Sequence, residues 1–196
     1  MLTALELLCG ENYEIDSVTA DAIKANAHLL CEADRRELFR RFTKVLMTRN
    51  ISAVMTRFPE VFAAIEPELL KTQRYKERYY DCTLWEHISK SVEFAPPQAD
   101  LRYAMLFHNV GIPDCKCRDS HGNTFFYGHG EYGRITAENF FEKYKADIKL
   151  RSDTDMLIES HDVAFTEDRV ALKRLLCEYS HDELKKLLKL RIADDT

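Results

Sequence analysis

Apolar residues recur at helical spacing along almost the whole chain. In SVTADAIKANAHLL, Val18, Ala22, Ile23, Ala27 and Leu30 share one helical face. Asp16 or Ser17 stands where a side-chain oxygen can cap the first turn. In ADRRELFRRFTKVLM the same period groups Leu38, Phe39, Phe42, Val45 and Leu46. ISAVMTRF and PEVFAAIEPELL follow, with Pro59 suited to a first helical turn. DCTLWEHISKSVEFA and QADLRYAMLFHNV are separated by Pro96 and Pro97, which cannot continue a helix.

The texture changes between Pro113 and His129. The turn residues His121, Gly122 and Asn123 precede Thr124, Phe125, Phe126 and Tyr127, which predicts a short β-hairpin near residues 115–127. Helical pattern resumes in EYGRITAENFFEKY and continues through SDTDMLIESHDVAF, TEDRVALKRLLCEY and SHDELKKLLKLRIAD. Asp153, Thr154 and Asp155 read as the opening cap of one helix. Ser180 and Glu183 have the spacing of a capping box on the last. The pattern predicts an all-α bundle with one hairpin. A boundary in RYKERYY, residues 74–80, divides a first helical region, 1–75, from a second, 76–196.

Composition narrows the function classes. Only 6 Gly and 5 Pro in 196 residues argue against an all-β fold. A net charge of −5 excludes a strongly basic nucleic-acid binder but not a local basic face. The best such face is RELFRRFTK with its neighbours, through Arg35, Arg36, Arg40, Arg41 and Lys44; a solvated helix face is the commoner reading of such a run. No apolar stretch is long enough to span a bilayer, so no membrane contact is expected. The N-terminus lacks the pattern of a signal peptide. The 6 cysteines then read as cytoplasmic thiols. Cys115, Cys117 and His121 are closely spaced, but no second such pair exists to complete a zinc site, and loop and strand thiols are the plainer reading.

The histidines carry more chemistry. His87 lies inside WEHISKSVEF, His108 ends AMLFH, His129 opens the helix after the hairpin, and His161 lies inside DMLIESHDV. Asp194 sits near the end of the last helix. Imidazoles and a carboxylate converging between helices can bind a divalent metal. Each position alone is more often a hydrogen-bonded core residue than a ligand, and dispersed ligands have no diagnostic spacing.

The segments LRYAMLFHNVGIP and FFYGHGEYG resemble the HD-domain signature of bacterial tRNA nucleotidyltransferases and poly(A) polymerases. YYDCTLWEHISKSVEFAPP resembles the family's upstream histidine segment. ALELLCGENYEIDSVTADAIKANAHLL resembles its neck, and PEVFAAIEPELL the stretch before the HD region. The order and spacing agree over nearly the whole chain. The resemblance implies a helical neck followed by an HD-like bundle. It implies a divalent metal held by His87, His108, His161 and Asp194, with Asn109, His129 and Asp162 as additional candidates. Such sites activate water and hold a phosphate oxygen. tRNA or another RNA, and a nucleotide or phosphate ligand, are the partners it implies.

Two departures qualify the expectation. The family's HD doublet is His108-Asn109 here, so a neutral amide replaces a carboxylate and metal binding should weaken. The family's following Lys is Ile112, which removes a cation for substrate phosphate. The nucleotidyltransferase head, with its Gly-Ser motif and paired aspartates, cannot be placed, so nucleotidyl transfer is not expected of this chain. The sequence reads as a piece of a longer enzyme or a stand-alone relative, its ends favouring the former. Three functions follow: an HD module with a degenerate phosphohydrolase site, an active metal-dependent phosphohydrolase, and a non-catalytic helical RNA-binding or interaction domain.

Overall fold

Helix α8, Ala99–Phe107, is buried on every face from Leu101 to Phe107, and the other helices are arranged about it. The computed structural model describes residues 1–8, 14–76 and 82–195. The fold is all-α with one short hairpin. Its first helices are α1 (Leu2–Leu8), α2 (Ser17–Ala25), a 3-10 stretch (Ala27–Glu32) and α3 (Arg35–Leu46). α4 (Ile51–Arg57), α5 (Pro59–Ile65), α6 (Leu69–Arg74) and α7 (Leu84–Phe94) precede α8. The hairpin strands are β1 (Cys117–Arg118) and β2 (Thr124–Phe125). α9 (His129–Tyr144), α10 (Ile148–Glu159), α11 (Arg169–Glu178) and α12 (His181–Asp194) complete the chain. α8 packs against α3, α7, α9, α10 and α12.

Three of the four helix starts that the sequence marks are used by the fold. Asp16 accepts from the Thr19 backbone at the head of α2. Pro59 occupies the first turn of α5. Ser180 and Glu183 form the reciprocal capping box of α12. The antiparallel hairpin pairs Cys117 with Phe125 and Arg118 with Thr124, turning through Gly122 at φ 84°. That positive φ is why glycine stands in this turn.

Three local expectations fail. Val18 has the spacing of the apolar face but is exposed. Asp153, Thr154 and Asp155 do not cap a helix: α10 begins earlier, at Ile148, where the Asp147 carboxylate accepts from the Lys149 and Leu150 backbone. The cap residue outside the apolar pattern decided that boundary. His161 lies beyond the last residue of α10 rather than inside a helix. The expected division at residues 74–80 falls largely on 77–81, outside the described residues.

The core is continuous. One apolar cluster runs from Leu2 in α1 to Ala193 in α12. Tyr103, Phe42, Phe58, Phe62, Phe107, Phe140 and Phe141 are its largest fully buried aromatics. Tyr103 shares a 2.8 Å hydrogen bond with the Thr43 hydroxyl, so its polar end is satisfied inside the core. Arg102 is buried too. Its guanidinium donates to the carbonyls of Leu46 and Thr48 at the end of α3 and of Glu93 and Ala95 at the end of α7. Those carbonyls have no partner within their own helices, and the forked donor ties both helix ends to α8.

Two glycines bring α9 close to α8. A Cβ at Gly133 would collide with the Phe107 carbonyl oxygen. A Cβ at Gly111 would stand 2.7 Å from the His129 carbonyl oxygen. The approach of these backbones sets His129 beside the end of α8.

Candidate metal centre

Four histidines reach one region from helix ends or starts. A capping box of Thr83 and Glu86 starts α7, and His87 follows immediately. His108 is the C-cap of α8. His129 is the first residue of α9, entered through Gly128 at φ 84°. His161 lies in the turn after α10, and Asp194 ends α12. Lys186 anchors α12 by ion pairs to Asp100 at 2.6 Å and Asp153 at 3.1 Å.

The side chains form two groups of three. In the first, Asp194 Oδ1 lies 3.0 Å from His87 Nε2 and 2.8 Å from His108 Nε2. In the second, His129 Nε2 lies 3.1 Å from His161 Nε2, and the Asp162 carboxylate is 3.4 Å from each ring. The groups adjoin: the rings of His108 and His161 are 5.4 Å apart, edge to face. The structure therefore brings together His87, His108, His161 and Asp194, and places His129, Asp162 and Asn109 with them.

The tautomers can be read from the backbone. His108 Nδ1 donates to the Met105 carbonyl at 2.8 Å, His129 Nδ1 to Phe126 at 2.8 Å, and His161 Nδ1 to Ile158 at 2.6 Å. A neutral imidazole has one N–H, so Nε2 of His129 and of His161 is left with a lone pair facing inward, whereas His108 Nε2 stands 2.8 Å from the Asp194 carboxylate, a contact that needs a proton or a cation on that nitrogen. Each of these carbonyls belongs to the residue three positions earlier, which makes the orientation a product of the local turn. Burial first, and then the charge of His108, push His161 down to about 4, so it is neutral at physiological pH. Burial alone would raise the Asp194 carboxyl. The charges and hydrogen bonds of His108 and His87 outweigh it and hold the group well below the usual carboxylate range.

This donor set fits a metal ion. Lone pairs face one another on His129 and His161, and His108 Nε2 stands against a carboxylate. Such contacts are repulsive unless a cation or a proton stands between them. Two ligand atoms each about 2.1 Å from one ion stand about 3.4 Å apart at a tetrahedral angle and about 3.0 Å at a right angle. The observed separations of 2.8–3.4 Å fall close to that range. Backbone carbonyls holding the other ring nitrogen supply the outer support that metal-bound histidines use.

Asn109 is buried between the rings. Its Nδ2 lies 2.6 Å from His108 Nε2 and 3.3 Å from His87 Nε2. Turning the amide over sets a neutral carbonyl oxygen at the same point. Ile112 is only 5% exposed, so its position belongs to the core and presents no cation to the pocket.

Two clefts open onto the groups, and Asp162 lines both. One, about 570 Å³, lies beneath the hairpin between Phe125, Phe126, Tyr127, His129 and His161. The other, about 460 Å³, is lined by His87, Asp194, Asp195, Lys90 and Arg191 besides Asp162. Lys90 and Arg191 are not among the candidates drawn from the sequence. The signal was nevertheless there: Lys90 follows His87 by three residues and Arg191 precedes Asp194 by three, the spacing of neighbours on a helix face.

The basic residues of α3 lie elsewhere. Arg40 and Arg41 pair with Glu37 at 2.7 and 2.6 Å, and Arg35, Arg36 and Lys44 are exposed. Among the described residues, no helix is long and apolar enough to cross a membrane.

Fold and site define a helical bundle with two adjoining groups of His and Asp side chains, the first mostly buried and the second opening to solvent at Asp162, that can hold a metal ion. Comparison of the chain with protein-family models and with curated proteins gives no match.

Proposed function

We propose that the pocket binds a divalent metal ion and that the chain is an HD-type phosphohydrolase module, acting on a phosphate ester of a nucleotide or an RNA end. The observation that carries this reading is the facing pair of ring lone pairs on His129 and His161, 3.1 Å apart, each fixed by its own backbone hydrogen bond. A divalent ion bound there would activate water and hold a phosphate oxygen. His87, His108 and Asp194 would hold an ion in the first group, and His129 and His161 in the second. Asp162, 64% exposed and shared by both clefts, is placed to accept a proton at its carboxylate from water. Phe125 and Tyr127 stack at 5.2 Å and offer a flat wall to the organic part of the ester. The resemblance to tRNA nucleotidyltransferases and poly(A) polymerases supports the same reading, without nucleotidyl transfer by this chain. The five free cysteines among the described residues fit a cytoplasmic setting.

A second reading is an HD-like scaffold that has lost its chemistry and binds RNA or a partner. Asn109 in place of a carboxylate and Ile112 in the core favour it. The deciding experiment is manganese titration of the metal-stripped chain, paired with hydrolysis of p-nitrophenyl phosphate and AMP. Saturable metal binding with hydrolysis that chelation abolishes supports the phosphohydrolase. Measurable RNA binding without metal binding supports the scaffold.

A further inference from the structure

The cleft beside His87 and Asp194 has a charge balance that a metal would invert. Its walls hold two cations, Lys90 and Arg191, and three carboxylates, Asp162, Asp194 and Asp195. Without an ion the formal balance is one negative charge, and anions are repelled. One dication turns the balance to one positive charge, and the same walls attract an anion. Lys90 is exposed and makes no ion pair among the described residues. It stands one turn beyond His87 on α7. Arg191 stands one turn before Asp194 on α12, so each cation shares a helix with a candidate ligand, and α7 packs on α12. Arg191 is paired with Asp195 at 3.1 Å, but both side chains are substantially exposed, at 44% and 59%. A pair of that kind is weak and yields readily to a stronger anion.

We infer that Lys90 and Arg191 form a phosphate seat that works only when the adjoining pocket holds a divalent ion. The inference rests on the metal reading above and deepens it by naming the groups that recognise the substrate. Lys90 offers a point charge and Arg191 a planar fork suited to two phosphate oxygens. Together they supply from α7 and α12 the cation that Ile112 does not. Metal and phosphate then bind with reciprocal coupling, each strengthening the other.

The test uses the full chain, manganese and inorganic phosphate. Manganese affinity is measured first, and phosphate is then titrated into stripped and manganese-loaded protein. Phosphate is expected to bind the loaded form at least tenfold more tightly than the stripped form. Lys90→Gln and Arg191→Gln are each expected to weaken phosphate about tenfold in the loaded form, the scale of one charge-assisted hydrogen bond, without weakening manganese. Asp195→Asn frees Arg191 and removes one negative charge, so it is expected to tighten phosphate. These positions are at the surface, so folding is not at stake. Manganese binding with phosphate affinity unchanged in both cation variants overturns the seat and leaves the metal reading intact. Equal phosphate binding in stripped and loaded protein also overturns it. Failure of the unaltered chain to bind manganese overturns the metal reading, and the seat with it.

Discussion

His129 Nε2 and His161 Nε2 face each other across 3.1 Å, and the opposite nitrogen of each ring is held by a backbone carbonyl. Neither ring has an N–H to offer the other. Replacing His161 with Gln removes one inward lone pair of the imidazole type. Manganese affinity is expected to fall at least roughly tenfold, since disturbing even a supporting group of a metal site has that effect. Calorimetric titration at about pH 7.5 checks it. Equal affinity in the two proteins would place any metal elsewhere.

Asn109 is a neutral group among ring nitrogens. Asn109→Asp adds an ionised oxygen beside His87 and His108, where its attraction for a dication exceeds that of an amide. Manganese is expected to bind the variant at least about tenfold more tightly, equivalent to about 1.4 kcal/mol. Hydrolysis need not rise in step. The same titration on both stripped proteins decides it: an unaltered chain that binds as tightly as the variant shows that Asn109 is no impaired ligand.

Gly133 keeps α9 against α8. The methyl group of Gly133→Ala meets the Phe107 carbonyl, which is backbone and cannot swing aside. A loss of about 1–3 kcal/mol of stability is expected. Chemical denaturation measures this. Displacement of His129 should lower manganese affinity in the same variant.

Lys186 bridges Asp100 and Asp153 where α8, α10 and α12 meet. Lys186→Met leaves Asp100 without its cation and Asp153 with only the exposed Lys149 at 3.1 Å. Its expected cost is about 1–3 kcal/mol, below the full penalty of breaking a deeply buried pair because water reaches all three groups. Thermal unfolding with and without manganese reads both the stability and the placement of Asp194.

Glu66 gives a pH dependence away from the histidines. Burial raises its carboxyl, and the Glu68 charge adds to this against the backbone hydrogen bond from Glu68 and the charge of Lys143. A carboxyl with a raised folded pKa is at its least costly below the unfolded value of 4.5. As pH rises through the unfolded and then the folded value, the unfolded chain ionises first and stability is lost. Glu66→Gln removes that loss and keeps an oxygen for the Glu68 backbone. The variant should be more stable than the parent at pH 7 and no more stable at pH 4. Denaturation at the two pH values distinguishes this from a pH-independent packing effect.

Much of the bundle is legible from local rules. The apolar period of Leu38, Phe42, Val45 and Leu46 predicts the buried face of α3, and all four are buried. Pro59, Asp16 and the Ser180–Glu183 pair mark helix starts that the fold uses. These signals work because caps and amphipathic faces are short-range. Where the competing signal was also local, as with Asp147 ahead of Asp153, the wrong start could be chosen from sequence because both residues can cap.

The sequence by itself determined the helical class, the hairpin, the placing of His108 at the end of one helix and His129 at the start of another, and the neutrality of position 109. Only the tertiary structure decided that the ligands divide into two adjoining groups, that Asp162 belongs to the second, and that Lys90 and Arg191 share a cleft with Asp194. Residues 87, 108, 129, 161 and 194 are distant along the chain, and no local period relates them. Their meeting depends on how α7, α9, α10 and α12 pack around the buried α8, on the close approach allowed at Gly111 and Gly133, and on ring orientations set by three backbone carbonyls. Those are properties of packed backbones rather than of any one segment.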